Sequence, residues 1–147
     1  MIYLDTSFVV SLYCPDANST AAASLLQTIR EDLLITTLVE LETINALGLK
    51  QFRKETTNTQ AEASLRNFDK AVGSGALQLR ALPQSAFERA RKMSRQFTPD
   101  LGTRTADLFH VVVALELGAS SFYSFDLQQR KLAEAVGLTL NPLPGAG

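Results

Sequence analysis

The most constraining feature of this chain is an alternation of short apolar runs with helix-periodic stretches. Residues 1–5, 33–36, 77–82 and 121–125 read as strands, with 138–140 as a short fifth. Helical periodicity fills the intervals, over about residues 6–13, 19–30, 38–54, 59–72, 85–97, 103–117 and 127–136. Alternation of this kind predicts an α/β fold of three layers: a mostly parallel four- or five-stranded sheet with helices on both faces. Ser85-Ala86-Phe87-Glu88 matches a capping box. Thr98-Pro99-Asp100-Leu101-Gly102 reads as a loop. Residues 1–141 form one domain, followed by a loose tail over 142–147.

Four acids sit where such a fold would place apolar side chains or caps. Asp5 ends the first strand and Asp126 the fourth. Ligands in these sheets bind beyond the carboxyl ends of the strands, where both residues stand. Glu42 falls on a helical arc with Leu38, Leu41, Asn45, Ala46, Leu49 and Phe52, which Leu47 does not fit. Glu40 lies on the opposite, solvated side. Asp107 shares a face with Val111, Ala114 and Gly118, and Arg104 precedes it by one turn. The helix at 85–97 would turn Phe87, Ala90, Met93 and Phe97 inward. Simpler readings exist for each acid: Asp5 and Asp126 as helix caps, Asp107 paired with Arg104, Glu42 at a face edge. If the four converge, a cation must offset their repulsion, which is about 4 kcal/mol for two charges some 4 Å apart at an effective dielectric near 20.

Charge and cysteine content narrow the class. The net charge is −1 and the sequence pI near 5.8, so charge alone would not hold a nucleic acid. Polyanion binding would need a metal or a local patch. Lys50, Arg53 and Lys54 form one basic cluster, and Arg89, Arg91, Lys92 and Arg95 another; each reads first as a solvated helix face. Cys14 is the only cysteine, which excludes an intrachain disulfide. The apolar run Phe8-Val9-Val10 is too short to span a bilayer and no basic stretch precedes it, so a cytoplasmic location without membrane attachment is expected. There is no Gly-rich phosphate loop and no zinc-ligand spacing. His110 lies about 60° off the Asp107 face and reads as a packed or hydrogen-bonded histidine.

Ile2-Tyr3-Leu4-Asp5-Thr6-Ser7 resembles the opening strand of PIN-domain ribonucleases. Glu42-Thr43-Ile44-Asn45-Ala46-Leu47 resembles their second-acid helix, and Arg104-Thr105-Ala106-Asp107-Leu108-Phe109-His110-Val111 their third. Ser124-Phe125-Asp126, followed by Gly137-Leu138, resembles the fourth-acid strand and the helix after it. Thr36 and Thr37 depart from the serine that many relatives carry before the second acid. Size and layout are similar to VapC-type toxins of toxin–antitoxin pairs. The resemblance implies a Mg²⁺- or Mn²⁺-dependent endoribonuclease, usually a homodimer, silenced by an antitoxin from the adjacent gene. It assigns Asp5, Glu42, Asp107 and Asp126 to metal binding and catalysis, and Thr6 and Ser124 to polar positions that assist the site. Arg104 either steadies a substrate phosphate or pairs with Asp107. Two other readings share the fold: a nuclease of RNA processing, and a non-catalytic binding module. An aspartyl-phosphate enzyme would need an aspartate or threonine two residues after the first acid, and Ser7 stands there.

Overall fold

A computed structural model describes residues 1–145. Five strands, β1 (Ile2–Leu4), β2 (Leu33–Thr36), β3 (Gln78–Arg80), β4 (Ser121–Tyr123) and β5 (Thr139–Leu140), form one parallel sheet in the order β3-β2-β1-β4-β5. Among the described residues seven helices accompany them: α1 (Thr6–Tyr13), α2 (Ser19–Thr28), α3 (Thr37–Phe52), α4 (Asn58–Gly73), α5 (Ala86–Leu101), α6 (Thr105–Glu116) and α7 (Leu127–Ala135). The α/β architecture read from the sequence is the one observed. From β1 the chain steps outward one way through β2 to β3, then crosses back to β4 and steps the other way to β5. Right-handed crossovers therefore put α1–α4 on one face and α5–α7 on the other, and the helices pack in those two groups. The direction of winding reverses between β1 and β4, which opens a crevice beyond their carboxyl ends.

Burial explains why these short strands are central. Ile2, Tyr3 and Leu4 are all buried, and Tyr3 stacks on Phe122 of β4 with centroids 5.5 Å apart. Register pairs Ile2 with Leu33 on one side and with Ser121 on the other. A fully buried Leu or Phe side chain stabilises the fold by about 1.5–3 kcal/mol. Helix α6 supplies the opposite layer, with Leu108 through Ala114 all buried. No helix among the described residues is long and apolar enough to cross a membrane.

Several local expectations are corrected. On α3 the buried residues are Val39, Thr43 and Leu47, spaced one turn apart, because this helix packs against α1 and α4. Most of the expected arc faces outward: Leu41 is 64% exposed and Phe52 84%. Phe87 also points outward, while Met93 of the same helix is buried. The expected loop at 98–102 is the last turn of α5, with Pro99 inside it. A proline there removes one amide donor, and the stop comes at Gly102, whose φ of 63° is left-handed and whose N–H bonds Thr98 O at 2.8 Å. Ser85 forms no capping box. Its backbone is already right-handed helical, and its hydroxyl turns to Glu116, which also holds Arg89 at 2.8 Å. A capping box does form at α4, where Thr57 and Gln60 satisfy each other's amides at 3.1 Å. The expected tail over 142–147 carries no helix or strand through residue 145, and residues 146–147 lie outside the described residues.

This difference in capping is measurable. Thr57→Ala removes a cap and lowers the unfolding free energy in urea by about 1 kcal/mol. Ser85→Ala, which removes only an exposed contact, changes it by about 0.5 kcal/mol or less.

Candidate active site

The crevice at the β1–β4 reversal is built on Asp5. This residue leaves β1 in an extended conformation, and its N–H bonds Tyr123 O of β4 at 3.1 Å. Its carboxylate caps α1 by accepting the Phe8 amide at 2.9 Å. A cap alone would sit in solvent, yet Asp5 is fully buried. Ser7 Oγ lies 2.8 and 2.9 Å from its two oxygens, and Ser124 Oγ donates to Oδ2 at 2.8 Å. Burial pushes the Asp5 carboxyl above the ordinary aspartate value. The Phe8 amide, the attraction of His110, and the Ser7 and Ser124 hydroxyls oppose that rise without cancelling it.

The same network reaches two of the other acids. Ser124 Oγ accepts the Asp126 N–H at 2.9 Å. Asp126 caps α7, its Oδ1 accepting from the amides of Gln128 (2.8 Å) and Gln129 (3.0 Å). The Gln129 side chain then donates to Asp107 Oδ1 at 3.2 Å, so one buried glutamine bridges Asp126 and Asp107. Arg104 Nε stands 3.9 Å from Asp107 Oδ2 and its side chain is 86% exposed, which is a loose pairing.

Glu42 sits on a second network. Its Oε1 accepts from Thr6 Oγ1 at 3.1 Å and lies 2.5 Å from His110 Nε2. His110 Nδ1 meets the Tyr3 hydroxyl at 2.9 Å, and Tyr3 in turn meets Thr36 Oγ1 at 3.3 Å. With the imidazole proton on Nε2, every donor in this line finds an acceptor: Thr36 donates to Tyr3, Tyr3 to His110, and His110 to Glu42. For Glu42, burial acts upward, but the hydrogen bond and attraction of His110 and the Thr6 hydroxyl outweigh it. The carboxyl is held below the ordinary glutamate value. Burial keeps the Tyr3 phenol protonated well above its usual range.

All seven singled-out residues thus attach to two networks joined by covalent neighbours. Asp5, Thr6 and Ser7 are consecutive, and Asp107 and His110 are one turn apart on α6. Among the described residues no three His, Cys, Asp or Glu side chains stand close enough to form a preformed cage. The donor chemistry nonetheless fits a hard divalent cation. Glu42 Oε2, Asp107 Oδ2 and Asp126 Oδ2 accept no hydrogen bond from a described residue. Gln129 Oε1, beside Asp107, is buried and has no hydrogen-bond partner among the described residues. All are oxygens, as Mg²⁺ and Mn²⁺ prefer. A cation here would also offset the burial that raises Asp5.

Sequence reasoning missed Ser7, Gln129, Arg130 and Asn141. Asn141 is buried and its Oδ1 accepts the Ser124 amide at 2.8 Å. Arg130 holds Ser124 O at 2.9 Å, Asn141 Oδ1 at 3.0 Å and Asn141 O at 2.9 Å. A polar residue directly after the last strand of a parallel sheet was the available signal for Asn141. Nothing in helical periodicity marks Arg130.

Fold and site together define an α/β protein with an acidic crevice at its topological switch point. The PIN domain family profile matches residues 2–135, and the chain belongs to the PIN domain family. Among curated proteins no sequence matches it. Solved structures of the same fold include VapC20 of Mycobacterium tuberculosis, described as a sarcin-ricin loop cleaving toxin. It is 20% identical with a TM-score of 0.69, over 95% of this chain and 97% of that one. A toxin–antitoxin complex from Klebsiella pneumoniae is 12% identical with a TM-score of 0.65, over 95% and 96%. VapBC2 from Rickettsia felis, bound to a promoter DNA fragment, is 17% identical with a TM-score of 0.64, over 96% and 98%.

Two outcomes follow. Replacing His110 with Gln raises the Glu42 carboxyl toward the ordinary value, read by carbon-detected NMR titration, because the largest opposing contact is gone. In metal-free protein, Asp5 binds its proton more tightly when folded. Stability therefore falls as pH rises from the ordinary aspartate value through the raised one. Urea unfolding across that window should show the decline in the wild type relative to Asp5→Asn, which has no carboxyl to titrate there.

Proposed function

We propose that this protein is a Mg²⁺- or Mn²⁺-dependent endoribonuclease, the toxin of a toxin–antitoxin pair, which cleaves cellular RNA and so blocks translation. It would act in the cytoplasm as a homodimer and be silenced by a cognate antitoxin. The observation that carries the reading is the shared network at the sheet's switch point, in which a fully buried Asp5 is linked through Ser124 to Asp126 and onward through Gln129 to Asp107. Membership of the PIN family supports nuclease chemistry. RNA as substrate and the toxin role draw support from the similarity to VapC20, a sarcin-ricin loop cleaving toxin, and the antitoxin from the similarity to toxin–antitoxin complexes.

Asp5 and Asp107 would be the principal metal donors, directly or through water, with Asp126 completing the site or holding a second ion and Glu42 joining through water. The bound ion supplies polarisation of the scissile phosphate and a more acidic water. The chain's own residues do the rest. Ser7, Ser124 and the Phe8 amide fix the Asp5 oxygens. His110 and Thr6 hold Glu42 ionised and oriented, leaving its Oε2 to accept a proton from the attacking water. Arg104, exposed and only loosely paired, reaches a substrate phosphate. Water attack leaves a 5′-phosphate and a 3′-hydroxyl, whereas attack by the ribose 2′-hydroxyl would leave a cyclic phosphate.

Purified wild type and Asp107→Asn incubated with a single-stranded RNA test this directly. Cleavage by the wild type should require Mg²⁺ or Mn²⁺ and stop with chelator. Asp107→Asn should be slower by at least about 100-fold, the upper range seen when support of a metal site is removed. Undiminished cutting in chelator, or cyclic-phosphate ends, would refute the mechanism. Mg²⁺ should also raise the wild-type melting temperature, since binding at 100 times Kd adds about 2.7 kcal/mol to stability.

A further inference from the structure

Between α5 and α6 lies a groove of about 810 Å³ that the mechanism above does not use. It falls within the size range of pockets that take organic ligands, about 300–1,000 Å³. Its aromatic wall is Phe109 with Phe87 against it, centroids 4.7 Å apart, and Phe87 remains 60% exposed. Thr103 also lines the groove. It is only 6% exposed, and its hydroxyl has no hydrogen-bond partner among the described residues. Arg91 and Arg95, one turn apart on α5, form the charged side. Their neighbours are spoken for, Arg89 by Glu116 and Lys92 by Glu88, but neither Arg91 nor Arg95 has an ion-pair partner among the described residues. The groove extends to Thr105 and Ala106, which separate Arg104 from Asp107.

We infer that this groove is a substrate subsite that takes an unpaired base of the RNA beside the phosphate being cut. The inference rests on the ribonuclease reading and deepens it. The base stacks on the Phe87 ring, its polar edge meets the Thr103 hydroxyl, and the flanking phosphates meet Arg91 and Arg95. Aromatic faces joined to free cations are how proteins hold single-stranded nucleic acid without charge alone, which resolves how a chain of net charge −1 engages a polyanion. A second copy of this chain is a poorer occupant, because a two-fold axis through the groove would bring unpaired Arg91 and Arg95 of both copies to one seam.

The test uses full-length protein carrying Asp107→Asn, so that RNA stays intact, and fluorescence anisotropy with a labelled RNA hairpin and a fully paired duplex. Adding Phe87→Ala should weaken hairpin binding by about fivefold or more and leave duplex binding unchanged. Adding Arg91→Gln with Arg95→Gln should flatten the salt dependence, reducing its log–log slope by about 1.4 for two lost phosphate contacts. In otherwise wild-type protein, Thr103→Val should change the base found beside the mapped cut. Hairpin affinity and salt slope in the Phe87 and arginine variants equal to those of Asp107→Asn alone, while the wild-type protein cuts RNA, would overturn the subsite alone. Unchanged RNA binding with an altered sedimentation mass would overturn it in favour of a protein interface. Failure of the wild-type protein to cut any RNA would instead remove the nuclease reading, and the anisotropy measurement would still decide whether the groove binds RNA.

Discussion

The structure depends on one buried charge-bearing group. Asp5 follows directly on the fully buried strand β1, where the winding of the sheet reverses, and it is sealed from solvent. A carboxylate in that position must find protein donors or lose several kcal/mol to desolvation. The Phe8 amide, Ser7 and Ser124 supply them. That requirement propagates outward. Ser124 can serve Asp5 only if its backbone is fixed, and Asn141, directly after β5, and Arg130 of α7 fix it. Removing any one of these partners leaves a buried donor or acceptor unpaired.

The remaining acids inherit their positions from this arrangement by different routes. Asp126 is placed by capping α7 and by the Ser124 hydroxyl, and Asp107 is reached through Gln129. Glu42 is tied from the far layer by His110, which spans from α6 across to Tyr3 of β1. The two networks differ in electrostatic sense. Around Asp5 burial dominates and disfavours ionisation, whereas around Glu42 the surrounding donors dominate and favour it. Two carboxylates whose surroundings push their proton affinities apart in this way can take different roles in proton handling.

Much of this was legible in the residues. Strand β2 and the start of α2 fall where periodicity puts them, and the sheet follows from alternation alone. The places of Asp5 and Asp126 followed from their position after strands. Side-chain direction was harder. The arc read on α3 is mostly exposed because a helix packed on both α1 and α4 is buried along Val39, Thr43 and Leu47, and Leu47, the residue outside the arc, was the clue. The Ser85 box failed because a tertiary acceptor, Glu116, outcompeted the local amide. His110 was rightly read as a hydrogen-bonded residue, but its partners lie 68 and 107 positions away and no local pattern names them. Asn141 and Arg130 act on backbone atoms of Ser124, a kind of contact that leaves no trace in side-chain patterning.

The seam between β1 and β4 has a temporal consequence. Strand β1 leaves the ribosome more than a hundred residues before its partner Ser121–Tyr123 and the clamp at Asn141. Every nascent chain short of Asp126 lacks part of the crevice, whatever the first three strands have already formed. The linked carboxylates of the switch point therefore come together late, once nearly the whole domain has been synthesised.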